Sequence, residues 1–387
     1  MTIPPWPCFS EAEANIAREV LLSNKVNYWT GTHAREFERE YSDYFGASYS
    51  IALANGTVAL DLVLKGLGIG PGDEVVVTPR SFIASASAVV NSGARAVFAD
   101  VDRDSQNITA ASIDAVLTPK TRAVICVHLA GWPCDMGSIM DLAQSKGLFV
   151  IEDCAQAHGA MFQGQSVGSF GHASAWSFCQ DKIMTTAGEG GMVTTGDANL
   201  YDFMWSFKDH GKSHEKAHTV SSSTGFRYIH DSIGTNWRIT EIQAAIGRYQ
   251  LQQLPQWSSN RKRNGQYLTE SLTGIGGVRV TRPPPGVEHA YYKYYFFVVP
   301  ELLSSSWNRD RIVAEIHSAG TPCFTGSCPE IYREKAFSDL YGSSPRHPVA
   351  AELGENSIML NVHPGIDESH LSRAASDIKK VMMKAVQ

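Results

Sequence analysis

Between residues 73 and 157, short and almost unbroken apolar runs alternate with stretches whose apolar positions recur at helical spacing. Residues 74–78, 96–100, 123–127 and 148–153 read as strands. Residues 85–92 and 136–146 read as helices, the second with Met136, Ile139, Met140 and Leu142 as its apolar positions. A strand that is apolar on both faces needs cover on both, which points to a mostly parallel sheet between helical layers. Two further strands, 173–178 and 191–195, flank the glycine-rich turn Gly188-Glu189-Gly190-Gly191. The predicted fold class is α/β.

The character of the chain changes past residue 261. An aromatic strand is predicted over 291–299 and helices over 309–317 and 371–383, the last with apolar residues at 371, 374, 378, 381 and 382. Three consecutive prolines within 282–286 mark a connecting loop. The expected division is a large domain over residues 1–254 and a smaller α/β domain over 255–387, with the first 25 or so residues packing on the small one.

Composition narrows the function classes. The chain has 387 residues, 43% hydrophobic and 19% charged, with a formal net charge of −6, which suits a globular protein with a sizeable core. Lysine and arginine are dispersed, so no nucleic-acid-binding surface is expected. The N-terminus lacks the basic and apolar regions of a signal peptide, and no apolar stretch reaches the ~20 residues of a membrane helix. The cytoplasm is the expected compartment. None of the seven cysteines forms a CxxC pair, so neither a disulfide framework nor a metal site is expected.

Four segments carry candidate chemistry. In Ala54-Asn55-Gly56-Thr57-Val58, a small-residue turn opens a helix whose free N–H groups and Thr57 hydroxyl suit a phosphate, although Asn55 or Thr57 serves equally well as a simple cap. In Glu152-Asp153-Cys154-Ala155-Gln156, a buried strand ends in a carboxylate. Such a group is costly without a cationic partner, which a protonated pyridine nitrogen or a structural ion pair would supply. In Ser177-Phe178-Cys179-Gln180-Asp181-Lys182, a strand exits into a turn bearing one lysine, suited to Schiff-base chemistry if desolvated and to the surface if not. In Gly234-Thr235-Asn236-Trp237-Arg238, a loop precedes a helix that Asn236 or Thr240 is placed to cap.

Taken together in this order, the segments resemble the DegT/StrS family of sugar aminotransferases, which depend on pyridoxal 5'-phosphate (PLP). The resemblance runs from Trp29, Thr30, Gly31 and Phe37-Glu38 to Asn361-Val362-His363-Pro364. It implies the aspartate-aminotransferase fold (fold type I) and PLP as cofactor. It also implies that Lys182 holds PLP covalently and shuttles the proton, and that Asp153 pairs with the pyridine nitrogen. Gln156 would approach the phenolic oxygen, Phe82 would stack on the ring, and Gly56, Thr57 and Ser177 would bind the phosphate. Asn236 would reach the phosphate of a neighbouring subunit, making the active unit a homodimer with sites at its interface. The substrates implied are L-glutamate/2-oxoglutarate and a nucleotide-linked keto-sugar, with an amino sugar for surface polysaccharide as product.

Cys179-Gln180-Asp181 stands where many relatives carry a proline and threonine. It is similar to the branch that acts on 4-keto-6-deoxyhexoses, and not far from the inositol aminotransferases. Lys182 argues against the dehydratases, which carry histidine there, and against an idle regulatory relative. No GxGxxG follows the first strand, as a nicotinamide enzyme would require. His128, His158, His210 and Arg238 are secondary candidates for ligand contact. The aromatic run 289–295 is a candidate sugar or base platform, with Lys293 meeting a phosphate, or else plain core packing.

Overall fold

A computed structural model describes residues 3–219, 225–342 and 345–386. Its centre is a seven-stranded sheet of β1 (Tyr49–Leu53), β2 (Glu74–Val77), β3 (Arg95–Phe98), β4 (Thr121–Val127), β5 (Phe149–Asp153), β8 (Ala173–Ser177) and β9 (Gly191–Thr195). Between β5 and β8 lies a hairpin of β6 (Met161–Phe162) and β7 (Gln165–Ser166). The spatial order is β1-β9-β8-β5-β4-β2-β3, with only β9 running against the rest.

Alternation along each strand assigns its side chains to opposite layers. Ile51, Leu53, Val75, Val77 and Ile151 pack with residues of α3 (Gly56–Gly66), α4 (Ala84–Asn91) and, further along the chain, Ala198–Lys208. On the other face Ala52 meets α1's neighbour α2 (His33–Phe45), where α1 is Glu11–Leu22, while Val76, Val124 and Val150 meet Ile113 of α5 (Ala110–Asp114) and Met136 and Ile139 of α6 (Met136–Lys146). The predicted both-sided burial is therefore realised, and the central strands are almost wholly apolar for that reason.

The helices continue with α7 (Ala198–Lys208), α8 (His214–His218) and the 32-residue α9 (Glu241–Leu272), which carries Pro255 in its interior. The expected domain junction near residue 255 falls inside α9. Leu251 and Leu254 of this helix join the core around α2, whereas Leu268 and Leu272 join a second core. That core lies under an antiparallel sheet of β10 (Val278–Val280), β12 (Tyr294–Val298) and β13 (Ser357–Leu360), with β11 (Val287–Glu288) pairing instead with β6. Helices α10 (Arg309–Ser318), α11 (Lys335–Tyr341), α12 (Pro348–Asn356) and α13 (Glu368–Ala385) complete the chain. The strand predicted over 291–299 begins only at Tyr294, because Tyr291 takes a left-handed φ of 50° that breaks the pleat. Among the described residues no helix is long and apolar enough to cross a membrane.

Candidate active site

The carboxyl ends of β1, β2, β4, β5 and β8 open into one cavity of about 1160 Å³, where a parallel sheet gathers its ligand chemistry. Gly56, Thr57, Phe82, Asp153, Gln156, Ser177 and Lys182, far apart in the chain, all line it.

Asn55 caps α3, its side-chain oxygen accepting from the Val58 N–H at 3.0 Å. The capping reading thus holds, and the first-turn N–H groups of Gly56 and Thr57 face the cavity mouth, where a helix N-terminus suits an anion. Close approach explains the glycines. A Cβ on Gly56 would sit 2.6 Å from the Ser177 Cβ, and one on Gly191 would sit 2.3 Å from the Asn55 carbonyl oxygen. Three chain segments meet here at distances that admit no side chain.

Asp153 ends β5 almost fully buried. Ser85 donates its hydroxyl to Asp153 Oδ2 at 2.7 Å, and the Ala155 N–H reaches Oδ1 at 3.2 Å. Burial raises this carboxyl above its usual range, and the Ser85 bond, the Ala155 N–H and the Lys182 charge only partly oppose it. The site therefore has a carboxylate short of positive charge, which a pyridinium nitrogen would provide. Gln156 accepts from the Ala130 N–H through Oε1 at 2.7 Å. That bond orients the amide, so its NH₂ is the end left to donate to a ligand oxygen. Phe82 is 65% exposed at the cavity wall, a large apolar ring without cover of its own.

Lys182 Nζ lies 3.9 Å from Asp181 Oδ1 and 5.0 Å from the centre of the Tyr292 ring. Tyr292 in turn donates its hydroxyl to Asp181. Burial would raise the Asp181 carboxyl, but the Lys182 charge and the tyrosine hydroxyl outweigh it and hold it low. Lys293 donates to Asn361 Oδ1 at 3.0 Å, and burial pushes its ammonium down to about 8 against the pull of Asp181. Tyr292, Lys293, Tyr295, Phe324 and Asn361 form the far wall of the cavity. Ser85, Asp181, Tyr292 and Asn361 were not singled out individually in the sequence, since a serine in a helix's first turn or an aspartate beside a lysine has no distinctive pattern.

The remaining candidates lie elsewhere. Asn236 is exposed and outside the cavity of its own chain, bridged to Asp209. Arg238 donates to buried Asp209 at 2.6 Å, which also takes Lys212 at 3.0 Å and the Trp29 indole at 2.8 Å. His210 is exposed, and its carbonyl accepts from His230. The Cys134 N–H donates to His128 Nδ1, so Nε2 carries the hydrogen that Glu152 accepts at 3.1 Å. Glu152 further accepts from the Gly168, Phe170 and Gly171 N–H groups. His128, Glu152 and Cys154 could geometrically hold a metal, yet the donor atoms of the first two are already engaged in this buried network. His158 sits among Tyr41, Phe45, Trp176 and Phe178, and burial lowers it to about 3. The carbonyl of Glu189 accepts from Thr186 and Gln243, shaping the glycine-rich turn.

The arrangement brings the candidate motifs together around one cavity, and comparison with known proteins shows the family. The sequence pattern of the DegT/DnrJ/EryC1/StrS aminotransferase family matches residues 7–379. The chain belongs to this family. This aminotransferase is 36% identical to a UDP-N-acetyl-3-dehydro-alpha-D-glucosamine 3-aminotransferase of Acidithiobacillus ferrooxidans, over 93% of the chain and 92% of the relative. It is 34% identical to a GDP-perosamine synthase of Escherichia coli O157:H7, over 94% of each. An aminotransferase structure from Psychrobacter cryohalolentis superimposes with a TM-score of 0.97 at 51% identity, covering 99% of both chains. The expected fold type I architecture and PLP dependence hold for this enzyme. The buried carboxylate, the glycine-lined helix start and Lys182 on the same cavity fit that cofactor.

Proposed function

We propose that this aminotransferase moves the amino group of L-glutamate to a nucleotide-linked keto-deoxysugar, with a 4-keto-6-deoxyhexose as the preferred acceptor. Its product would be an amino-deoxysugar for surface polysaccharide. The observation that carries the reading is the far wall of the cavity. Beyond Lys182 it is lined by the nearly buried edges of Tyr292 and Tyr295, the exposed ring of Phe324 and the cationic Lys293. Aromatic faces cover a sugar or base, and a partly buried ammonium meets a phosphate.

PLP, when bound, supplies an electron sink for the carbon that gains or loses nitrogen. The chain supplies the rest. Lys182 would be the base that, in each half-reaction, moves a proton between the nitrogen-bearing substrate carbon and C4′ of the cofactor. Asp153, itself short of a cation, keeps the pyridine nitrogen protonated. Ser85 and the Ala155 N–H fix the carboxylate that does this. The Gln156 NH₂ donates to the phenolic oxygen, and Gly56, Thr57 and Ser177 anchor the phosphate. Phe82 covers the ring face and keeps water from it. Asn236, exposed and remote from its own cavity, serves the partner subunit's site in a homodimer.

A second position for the ketone, at carbon 3, is favoured by the relative from Acidithiobacillus ferrooxidans, whose name specifies a 3-dehydro sugar. A panel of nucleotide-linked 3-keto and 4-keto sugars assayed with L-glutamate, with products identified by mass and NMR, separates the two. We expect the 4-keto-6-deoxy sugars to react fastest and the free keto-sugars, lacking both phosphates, far more slowly. Comparable efficiency on a free keto-inositol would overturn the nucleotide-sugar reading.

A further inference from the structure

The turn that carries Lys182 is held from behind by the N-terminal segment, at two points and through two different elements. The Trp6 indole N–H donates to the backbone carbonyl oxygen of Lys182 itself at 2.8 Å. The second link is a relay. The Thr185 N–H donates to Gln250 Oε1 at 2.7 Å, and the same amide donates through Nε2 to Glu13 Oε1, also at 2.7 Å. Glu13 is buried, and its other oxygen accepts from Ser10 in the capping box that starts α1. Gln250 belongs to α9, so the cap of the first helix is wired across the longest helix to the lysine turn.

The Trp6 ring is itself clamped. It stacks on His363 with centroids 5.6 Å apart, meets Trp257 edge-on at 5.2 Å, and lies 4.9 Å from the Arg261 guanidinium. Arg261 is fully buried and donates to the Tyr291 and Tyr292 carbonyls, which lead directly into the far wall of the cavity. A half-buried indole held on three sides points its N–H with little freedom.

From this geometry we infer that residues 6–13 form an arm that sets the position of the Lys182 backbone, with Trp6 as a positioning residue for the lysine. The inference rests on the proposed covalent role of Lys182. The lysine side chain is long and flexible, and its reach to a ring atom depends on where its Cα is held. Asp181 and Tyr292 restrain the turn from the cavity side, and Trp6 and Gln250 restrain it from the other. Removing one restraint should leave the cavity in place and loosen only the attacking group.

The test uses the full chain with Trp6→Phe, which keeps a ring in the clamp and deletes the N–H donor. Gln250→Met deletes the acceptor for the Thr185 N–H independently, in case the first variant folds poorly. Covalent attachment of PLP to each apoprotein is followed by visible absorbance and by borohydride trapping with peptide mapping. Pyridoxamine 5'-phosphate, which has the same ring and phosphate but cannot attach to a lysine, reports the rest of the site. In both variants attachment and kcat should slow about tenfold, the scale of a sub-ångström misplacement. The affinity for pyridoxamine 5'-phosphate and both substrate KM values should stay within about twofold. Wild-type attachment rates in both variants would overturn the inference. So would a loss of pyridoxamine phosphate affinity in step with attachment, since that would mark a general collapse of the site. Trapping on a peptide other than that of Lys182 would instead overturn the role of Lys182, and the inference with it.

Discussion

Asp153 and Lys182 stand at opposite ends of the same electronic problem, and their surroundings differ accordingly. Asp153 is buried at a strand end with a hydroxyl and one backbone N–H as its hydrogen-bond partners, so its carboxyl is raised and responsive to an added cation. Asp153→Asn is nearly isosteric but cannot keep a pyridine nitrogen protonated. We expect this variant to bind PLP and to lose about 10²–10³ in kcat, measured in the glutamate half-reaction by stopped-flow absorbance. Near-normal turnover would make Asp153 structural. Lys182→Ala should keep its circular dichroism and lose all but a trace of turnover, because Lys293, the other lysine on this wall, is tied to Asn361 on the far side of Tyr292. Substantial activity in that variant, without added amines, would remove Lys182 from the mechanism.

At the scale of elements, the strands of the central sheet were legible because both of their faces are buried. Residues 123–127 and 148–153 could hardly be anything but covered strands, and they gave the carboxyl end where Asp153 sits. The helix start at Asn55, Gly56 and Thr57 was legible as a cap with open N–H groups, whereas the close approach of Gly56 to Ser177 was not. The helix α9 was not. Its apolar positions pass from one core, at Leu251 and Leu254, to the next, at Leu268 and Leu272, along a helix that continues through Pro255. The run 289–295 was legible as a candidate platform with Lys293, but its junction with Asn361 was not, because the wall is assembled from two segments nearly seventy residues apart.

The segment between β5 and β6 carries a testable pH signature. His158 is held neutral among aromatic rings beneath α2, with its pKa lowered by burial to about 3. In the unfolded chain it titrates near its ordinary 6.5. Below that pH the unfolded state binds a proton that the native state refuses, so this residue reduces stability as pH falls from about 6.5 toward 3. His158→Phe removes the titration. In urea melts of the apoprotein between pH 6 and 4, the loss of stability per pH unit should be shallower in the variant by up to about 1.4 kcal/mol. Only the slope matters, since the larger ring shifts absolute stability by its own packing cost. Equal slopes would mean that the histidine is hydrated and protonates in place.

For the whole molecule, the open question is why a residue as exposed as Asn236 lies on a loop beside a cluster of buried charges. Its neighbours Phe226, Tyr228 and Ile233 are 81%, 85% and 92% exposed, an apolar content that solvent disfavours and a second subunit would cover. If that partner is a second copy related by a twofold axis, each Asn236 is carried toward the other chain's phosphate turn. Inactive Lys182→Ala and inactive Asn236→Asp subunits can then be unfolded together, mixed in equal amounts and refolded. Half of the dimers will be mixed, and each mixed dimer contains one site with both residues intact. Activity should therefore return to about a quarter of the wild-type value per subunit, by random pairing. If Asn236 acts within its own chain, every site in the mixture lacks one residue or the other, and nothing returns. A fully active monomer in sedimentation would remove the partner altogether, and with it the reason for the exposed apolar loop.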